Sequence, residues 1–229
     1  NREMKDALSK DDFNEYYSEA LVDCMLSCCH AAKEATGRKK VVGVYFGYTM
    51  EYSNMAWCLQ MSGHNKVRKA LDSPDVDFFS APQSYSVRAP GEDMGWMWAW
   101  RSMQNAGKLV WPDDDTRTFL SGPSEHTPVV NAQDTQQVLR RNFGKQLCNL
   151  CPQGFLAIIS GRELGSPSIA KDTRAIRRAG EYCLEHHVGR KAEIAVVLDE
   201  ESTKYLRYDA PDRPSGEMRK ITHWNGAVH

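Results

Sequence analysis

The chain has 229 residues, 41% hydrophobic and 26% charged, an ordinary globular composition with enough length for one large domain or two small ones. Its 29 Lys and Arg nearly balance 30 Asp and Glu, and no basic stretch is interleaved with aromatic residues, so nucleic acid is not an expected partner. No apolar run approaches the roughly 20 residues needed to cross a bilayer, so no membrane-spanning helix is expected.

The chain opens on polar residues, Asn1-Arg-Glu-Met-Lys-Asp6, without an initiator methionine, and reads as cut from a longer protein. Phe13, Tyr16, Tyr17, Ala20, Leu21, Cys24, Met25 and Cys28 recur at i, i+3, i+4 and i+7, which predicts an amphipathic helix with that stripe toward the core. Gly37 ends it, and Val41-Val-Gly-Val-Tyr-Phe-Gly-Tyr48 follows as a continuous apolar run of the kind a parallel strand covered on both faces requires. The alternation then repeats. A short helix over 64–71 precedes a strand over 76–80. A Trp- and Met-rich helix over 95–106 precedes a strand over 109–111. A helix over 133–150, with Val138, Leu139, Phe143 and Leu147 on one stripe, precedes a strand over 154–160. Pro167 opens a last helix reaching Leu184. Trp96, Trp98 and Trp100 cannot share one face of a helix, so at least one is expected to be exposed or at an interface.

Strands alternating with helices predict an α/β fold with a parallel sheet, and four such units amount to half of an eight-stranded barrel. Residues 1–190 are read as the C-terminal part of that barrel. The segment 192–199 reads as the first strand of another α/β unit, so a second domain is placed over 191–229, ending in an irregular tail with Pro211, Pro214 and Gly216.

The third strand runs into Pro112-Asp-Asp-Asp-Thr-Arg117. At the C-terminal end of a barrel strand, Asp113, Asp114 and Asp115 are candidates for nucleophile, general base or sugar hydroxyl acceptor. The competing reading is a solvated acidic turn. Tyr48 and Glu51 after the first strand are candidates to bind hydroxyl groups; the alternatives are a core aromatic and a surface acid. Tyr85 and Arg88 follow the second strand, and Arg88 could equally pair with Glu92 on the surface. Arg117 is placed to pair with the aspartates and keep them ionised, and Trp111 joins the substrate-binding candidates.

Seven cysteines, an odd number without disulfide-framework spacing, favour a reducing, cytoplasmic compartment. Cys24 with Cys28, and Cys148 with Cys151, have spacings that zinc could use, yet free cysteine is mostly a buried residue. Core thiols are the preferred reading, and no metal is assigned.

Taken together, Lys33-Glu-Ala-Thr-Gly37, Val42-Gly-Val-Tyr-Phe-Gly-Tyr48 with Glu51, Ser62-Gly-His64, Leu71-Asp-Ser-Pro-Asp-Val-Asp-Phe78, Pro82 with Ser84-Tyr85, and Asp115-Thr-Arg-Thr118 form a series over roughly residues 12 to 205. This series resembles the C-terminal half of the catalytic barrel of β-galactosidase-like enzymes, glycoside hydrolase family 42 and its relatives. The resemblance implies retaining cleavage of β-galactoside-type bonds by two carboxylates about 5 to 5.5 Å apart, without a cofactor. It places Asp113 at the nucleophile position, where relatives carry glutamate, and puts the acid/base glutamate on a fourth barrel strand upstream of Asn1. It further implies that 192–205 begins a flavodoxin-like domain that builds trimers, so the expected partners are a carbohydrate and either further copies of the chain or the missing barrel half. Two departures bear on activity: aspartate is one methylene shorter than glutamate, and Phe155-Leu-Ala-Ile-Ile-Ser-Gly161 lacks the Trp-rich acidic segment that relatives carry on the eighth strand. A non-catalytic sugar-binding or assembly module on the same barrel is the rival reading.

Overall fold

A computed structural model describes residues 4–52, 61–85, 87–122, 129–158, 161–186, 193–195 and 197–200. The elements run α1 (Met4–Ala35), β1 (Gly43–Tyr45), α2 (Thr49–Tyr52), α3 (Val67–Leu71), β2 (Phe78–Pro82), α4 (Trp100–Asn105), β3 (Leu109–Asp114), α5 (Ala132–Cys148), β4 (Gly154–Phe155) and α6 (Pro167–Glu185). The four strands form one all-parallel sheet in chain order, β1-β2-β3-β4, alternating with helices. The registers place Gly43, Val44 and Tyr45 opposite Phe78, Phe79 and Ser80, and Asp113 and Asp114 opposite Gly154 and Phe155. This α/β order is compatible with part of an α/β barrel.

Strand lengths depart from the sequence pattern. β1 and β4 are shorter than their apolar runs, because a strand extends only as far as a neighbour pairs with it. β3 is longer, carrying Asp113 and Asp114 inside the ladder rather than in a turn. Glu193–Ala195 and Val197–Asp199 contain no strand, so the strand expected over 192–199 is not formed among its described residues. Residues 201–229, with the tail prolines, lie outside the described residues.

The chain divides into two compact units. One comprises Asn1–Ala81, Met97–Val110 and Val196–His229; the other comprises Pro82–Trp96 and Trp111–Ala195. In the first unit the core gathers Val22 and Cys29 of α1, Val67 and Ala70 of α3, Val44, Phe79 and Val110 of the strands, and Trp98, Trp100 and Met103 around α4. α1 packs on α3. Its buried stripe is Ser18, Val22, Cys29 and Lys33, turned by one residue, about 100°, from the predicted one. Tyr16 is therefore 70% exposed and Phe13 60%, with Cys24 and Cys28 also outward. Buried Lys33 explains the turn: its ammonium donates to Lys40 O at 3.0 Å and pairs with Asp77, so the charge is satisfied inside while its stem packs.

All three tryptophans of the 96–100 segment are buried, against the expectation that one would be outward. The helix begins only at Trp100. Trp96 and Trp98 precede it in irregular backbone, where a residue's direction is not tied to helical spacing, and Trp96 forms an isolated bridge with Gln83.

The second unit is built on α5 and α6, which pack together. Asn131 caps α5, its Oδ1 accepting from Asp134 N–H at 2.8 Å, and Pro167 occupies the first turn of α6. α5 turns Val138 and Leu139 inward as expected, but continues that stripe with Thr135, Asn142 and Gln146. A helix with this many polar groups toward the core has to find hydrogen-bond partners there, and the partners of Asn142 lie at the candidate site.

Candidate functional site

The three aspartates are not a solvated turn: Asp113, Asp114 and Asp115 are all buried. Alternation along β3 sends them in different directions. Asp114 lies on the α5 side, accepting from Asn142 Nδ2 at 3.3 and 3.2 Å and from Gln153 Nε2 at 3.0 Å. Asn142 Nδ2 also reaches Gln83 Oε1 at 3.0 Å and Thr116 Oγ1 at 3.0 Å. Asp114 is thus the centre of a buried amide network joining β3, α5 and the segment after β2.

Asp115 begins the loop after β3, and its side chain is fully removed from solvent. Arg88 Nη1 donates to Oδ1 at 2.6 Å, while Arg117 Nη1 and Tyr85 OH both donate to Oδ2 at 2.7 Å. Arg88 additionally donates to Ser84 O at 2.8 Å and to Gln83 O. Its guanidinium lies 4.0 Å from the Tyr85 ring centroid, and that of Arg117 lies 5.9 Å away. Arg88 is therefore a buried partner of Asp115, not a surface partner of Glu92; the carboxylate of Glu92 instead accepts from Ala89 N–H. Burial, and then donation of its hydroxyl to Asp115, push the Tyr85 phenol above its ordinary range, so it stays a protonated donor. Arg141 closes the far side of this loop, donating to Ala89 O at 2.8 Å and Glu92 O at 2.7 Å, and burial works to lower its pKa.

Asp113 lies on the other face of β3 together with Trp111, two residues before it. Opposite Asp113 in the neighbouring strand stands Gly154, and a Cβ there would come within 2.4 Å of Trp111 Nε1. The missing side chain lets the indole lie down over β4, where it remains 43% exposed. The result is an accessible aromatic surface on the same side of the strand as a carboxylate.

Tyr48 and Glu51 belong to the first unit. Glu51 is buried in α2, so the surface-acid alternative does not hold, and Tyr48 is half-buried, stacked on His64 at 4.4 Å between centroids. Among the described residues no three His, Cys, Asp or Glu gather as a metal site, and Cys24, Cys28 and Cys148 are exposed rather than core thiols. Cys151 is buried, and burial pushes its thiol up to about 12. No described helix is long and apolar enough to cross a membrane.

Sequence reasoning missed Gln83, Asn142, Gln153 and His64. For Asn142 a signal existed, since it continues the inward spacing of Thr135, Val138 and Leu139 on α5. For Gln83 and Gln153 there was none, because loop residues carry no periodicity.

No family model, no curated protein and no solved structure matches the chain.

Proposed function

We propose that the chain is the C-terminal half of a (β/α)8 barrel of glycoside hydrolase lineage, whose intact form cleaves β-galactoside-type bonds with retention. The observation that carries this reading is the pairing of Trp111 with Asp113 on one face of β3. An indole platform suits the apolar face of a pyranose, and an adjacent carboxylate suits attack at the anomeric carbon. In this reading Asp113 is the nucleophile. Trp111 binds substrate beside it, and Tyr85, Asp115 and Arg117 take part through the cluster that fixes the loop after β3. Asp114 and Asp115 are committed to amide and guanidinium partners, so neither serves as the acid that protonates the leaving oxygen. That acid comes from the other half of the barrel, supplied by a longer chain or by an assembly, with residues 191–229 belonging to a following domain. No cofactor enters the chemistry.

The shortness of Asp113 supports a second reading. An aspartate is withdrawn from the glutamate position by about 1.5 Å, and misplacement on that scale costs roughly a hundredfold in rate. The same face would then bind a sugar without cleaving it. Cleavage of an activated aryl galactoside that disappears on Asp113→Asn supports the enzyme; galactose binding without cleavage in the complete protein supports the binding module.

A further inference from the structure

His64 sits in the first unit at the C-terminal end of β1, enclosed by aromatic rings. Tyr48 stacks on it at 4.4 Å and 11°, Tyr52 lies 5.3 Å away at 47° and Phe46 5.5 Å away at 31°. Two of these rings flank the glycine that orients the imidazole. Gly47 has φ +85°, a left-handed turn that side chains resist, and the turn aims its N–H at His64 Nδ1 at 3.0 Å. Nδ1 is therefore the acceptor, and the neutral ring carries its proton on Nε2. A Cβ on Gly47 would also crowd Met103 and Val67, at 3.1 and 3.3 Å, so both space and conformation reserve this position for glycine. Among the described residues nothing accepts a hydrogen bond from Nε2, and Nε2 is not one of the buried polar atoms lacking a partner, so it keeps access to solvent.

We propose that His64 is the hydrogen-bond donor of a carbohydrate subsite at the end of β1, its Nε2–H donating to a sugar hydroxyl beside the Tyr48 and Tyr52 rings. The inference rests on the carbohydrate reading above and adds to it a specific residue and tautomer. The chemistry selects an uncharged polyhydroxylated ligand. A neutral imidazole offers an anion no charge. A cation has no use for an N–H donor. A hydroxyl can accept from Nε2–H, and the aromatic rings offer surface for the C–H faces of a pyranose.

The test is titration of the full, ¹⁵N-labelled chain with methyl β-galactoside, following the His64 ring signals by long-range ¹H–¹⁵N correlation and binding by calorimetry. The expected result is a ring with Nδ1 unprotonated before and after addition, an Nε2–H signal that shifts to saturation, and binding weakened about tenfold by His64→Phe, as loss of one hydrogen bond to an uncharged ligand implies. His64→Gln, which retains an N–H donor, should recover part of that loss. Binding that leaves the wild-type His64 signals unmoved overturns the role of His64 while leaving the carbohydrate reading standing, whatever the variants do. Absence of binding to galactose, glucose and their methyl glycosides at millimolar concentration overturns both.

Discussion

Arg88 and Asp115 form a 2.6 Å ion pair in which both side chains are all but sealed from water, 1% and 0% exposed. Breaking one side of such a pair leaves the other charge buried without its counter-ion, which typically costs about 3–5 kcal/mol. Arg88→Met should therefore lower the unfolding free energy by that order. Asp115→Asn should act similarly, because the amide brings no charge to offset Arg88 and Arg117 and keeps one acceptor oxygen where the carboxylate has two. The Arg177–Glu181 pair on α6 has both partners solvated, and Arg177→Met should leave stability almost unchanged. Urea midpoints of the three variants check the contrast; equal shifts would show that the Asp115 cluster does not hold the fold.

The pH dependence of stability should carry the signature of His64. Burial pulls its pKa from 6.5 down to about 4, so the folded chain resists a proton that the unfolded chain accepts. The contribution is complete above pH 6.5 and is lost as pH falls from there toward 4, at up to about 1.4 kcal/mol per pH unit in the middle of that window. Asp77 does not blur the effect. Burial works to raise its pKa, but Lys33 and the Val42 N–H prevail and hold it below its ordinary value, so its own stabilisation is lost only at lower pH. Denaturant titrations between pH 4 and 7 should show a slope in the wild type that His64→Phe removes, and persistence of the slope in the variant would assign it to another group.

Gly154→Ala tests the seat of Trp111. The new methyl would stand 2.4 Å from Nε1, and the indole must leave the sheet to admit it. A stability loss of about 1–3 kcal/mol is expected, with a change in tryptophan fluorescence as the ring moves. Gly43→Ala should behave alike through Phe78, whose ring atoms lie within 2.1 to 2.3 Å of the added Cβ. If crystals of Gly154→Ala show Trp111 unmoved, the platform next to Asp113 does not depend on this glycine.

The α/β alternation and the parallel order were legible because apolar runs and helical stripes repeat along the chain, and β1 to β4 stand in the order in which those runs occur. The facing of α1 was not. Tyr16 and Leu21 mark the more apolar stripe, yet the stripe bearing Ser18 and Lys33 is buried, because the ion pair with Asp77 arises from a residue more than forty positions away. The same limit applies at the site. Asp113, Asp114 and Asp115 look equivalent in sequence. What separates them is the alternation of β3 and partners supplied from elsewhere in the second unit: Asn142 and Gln153 for one, Arg88 and Tyr85 for another, Gly154 opposite the third. Local pattern identified the cluster, and only tertiary contact assigns its members different work.

Assembly follows from what the strands of the first unit leave uncovered. Val44, Phe79 and Val110 are buried, but Tyr45 and Leu109, on the alternate face, are 60% and 58% exposed. Edge strands and apolar surface of this kind bind another chain or aggregate. Light scattering of the 229-residue chain should report an oligomer, and Tyr45→Lys with Leu109→Lys should shift it toward monomer. A stable monomer at high concentration before any substitution contradicts the half-barrel proposal.

Catalysis separates the two functional readings. Without a proton donor for the leaving oxygen, a substrate with a poor leaving group should not turn over, since general acid catalysis contributes about 10² to 10⁴-fold. An aryl galactoside with an acidic phenol needs little such help and depends chiefly on the nucleophile. The 229 residues should therefore leave lactose intact and cleave the aryl galactoside at most in traces, and Asp113→Asn should abolish those traces. In a complete barrel, Asp113→Glu extends the carboxylate by one methylene toward the anomeric carbon and should raise the rate, because near-attack geometry is restored. Should that variant remain inert while still binding galactose, Asp113 is not a nucleophile, and the face it shares with Trp111 serves recognition alone.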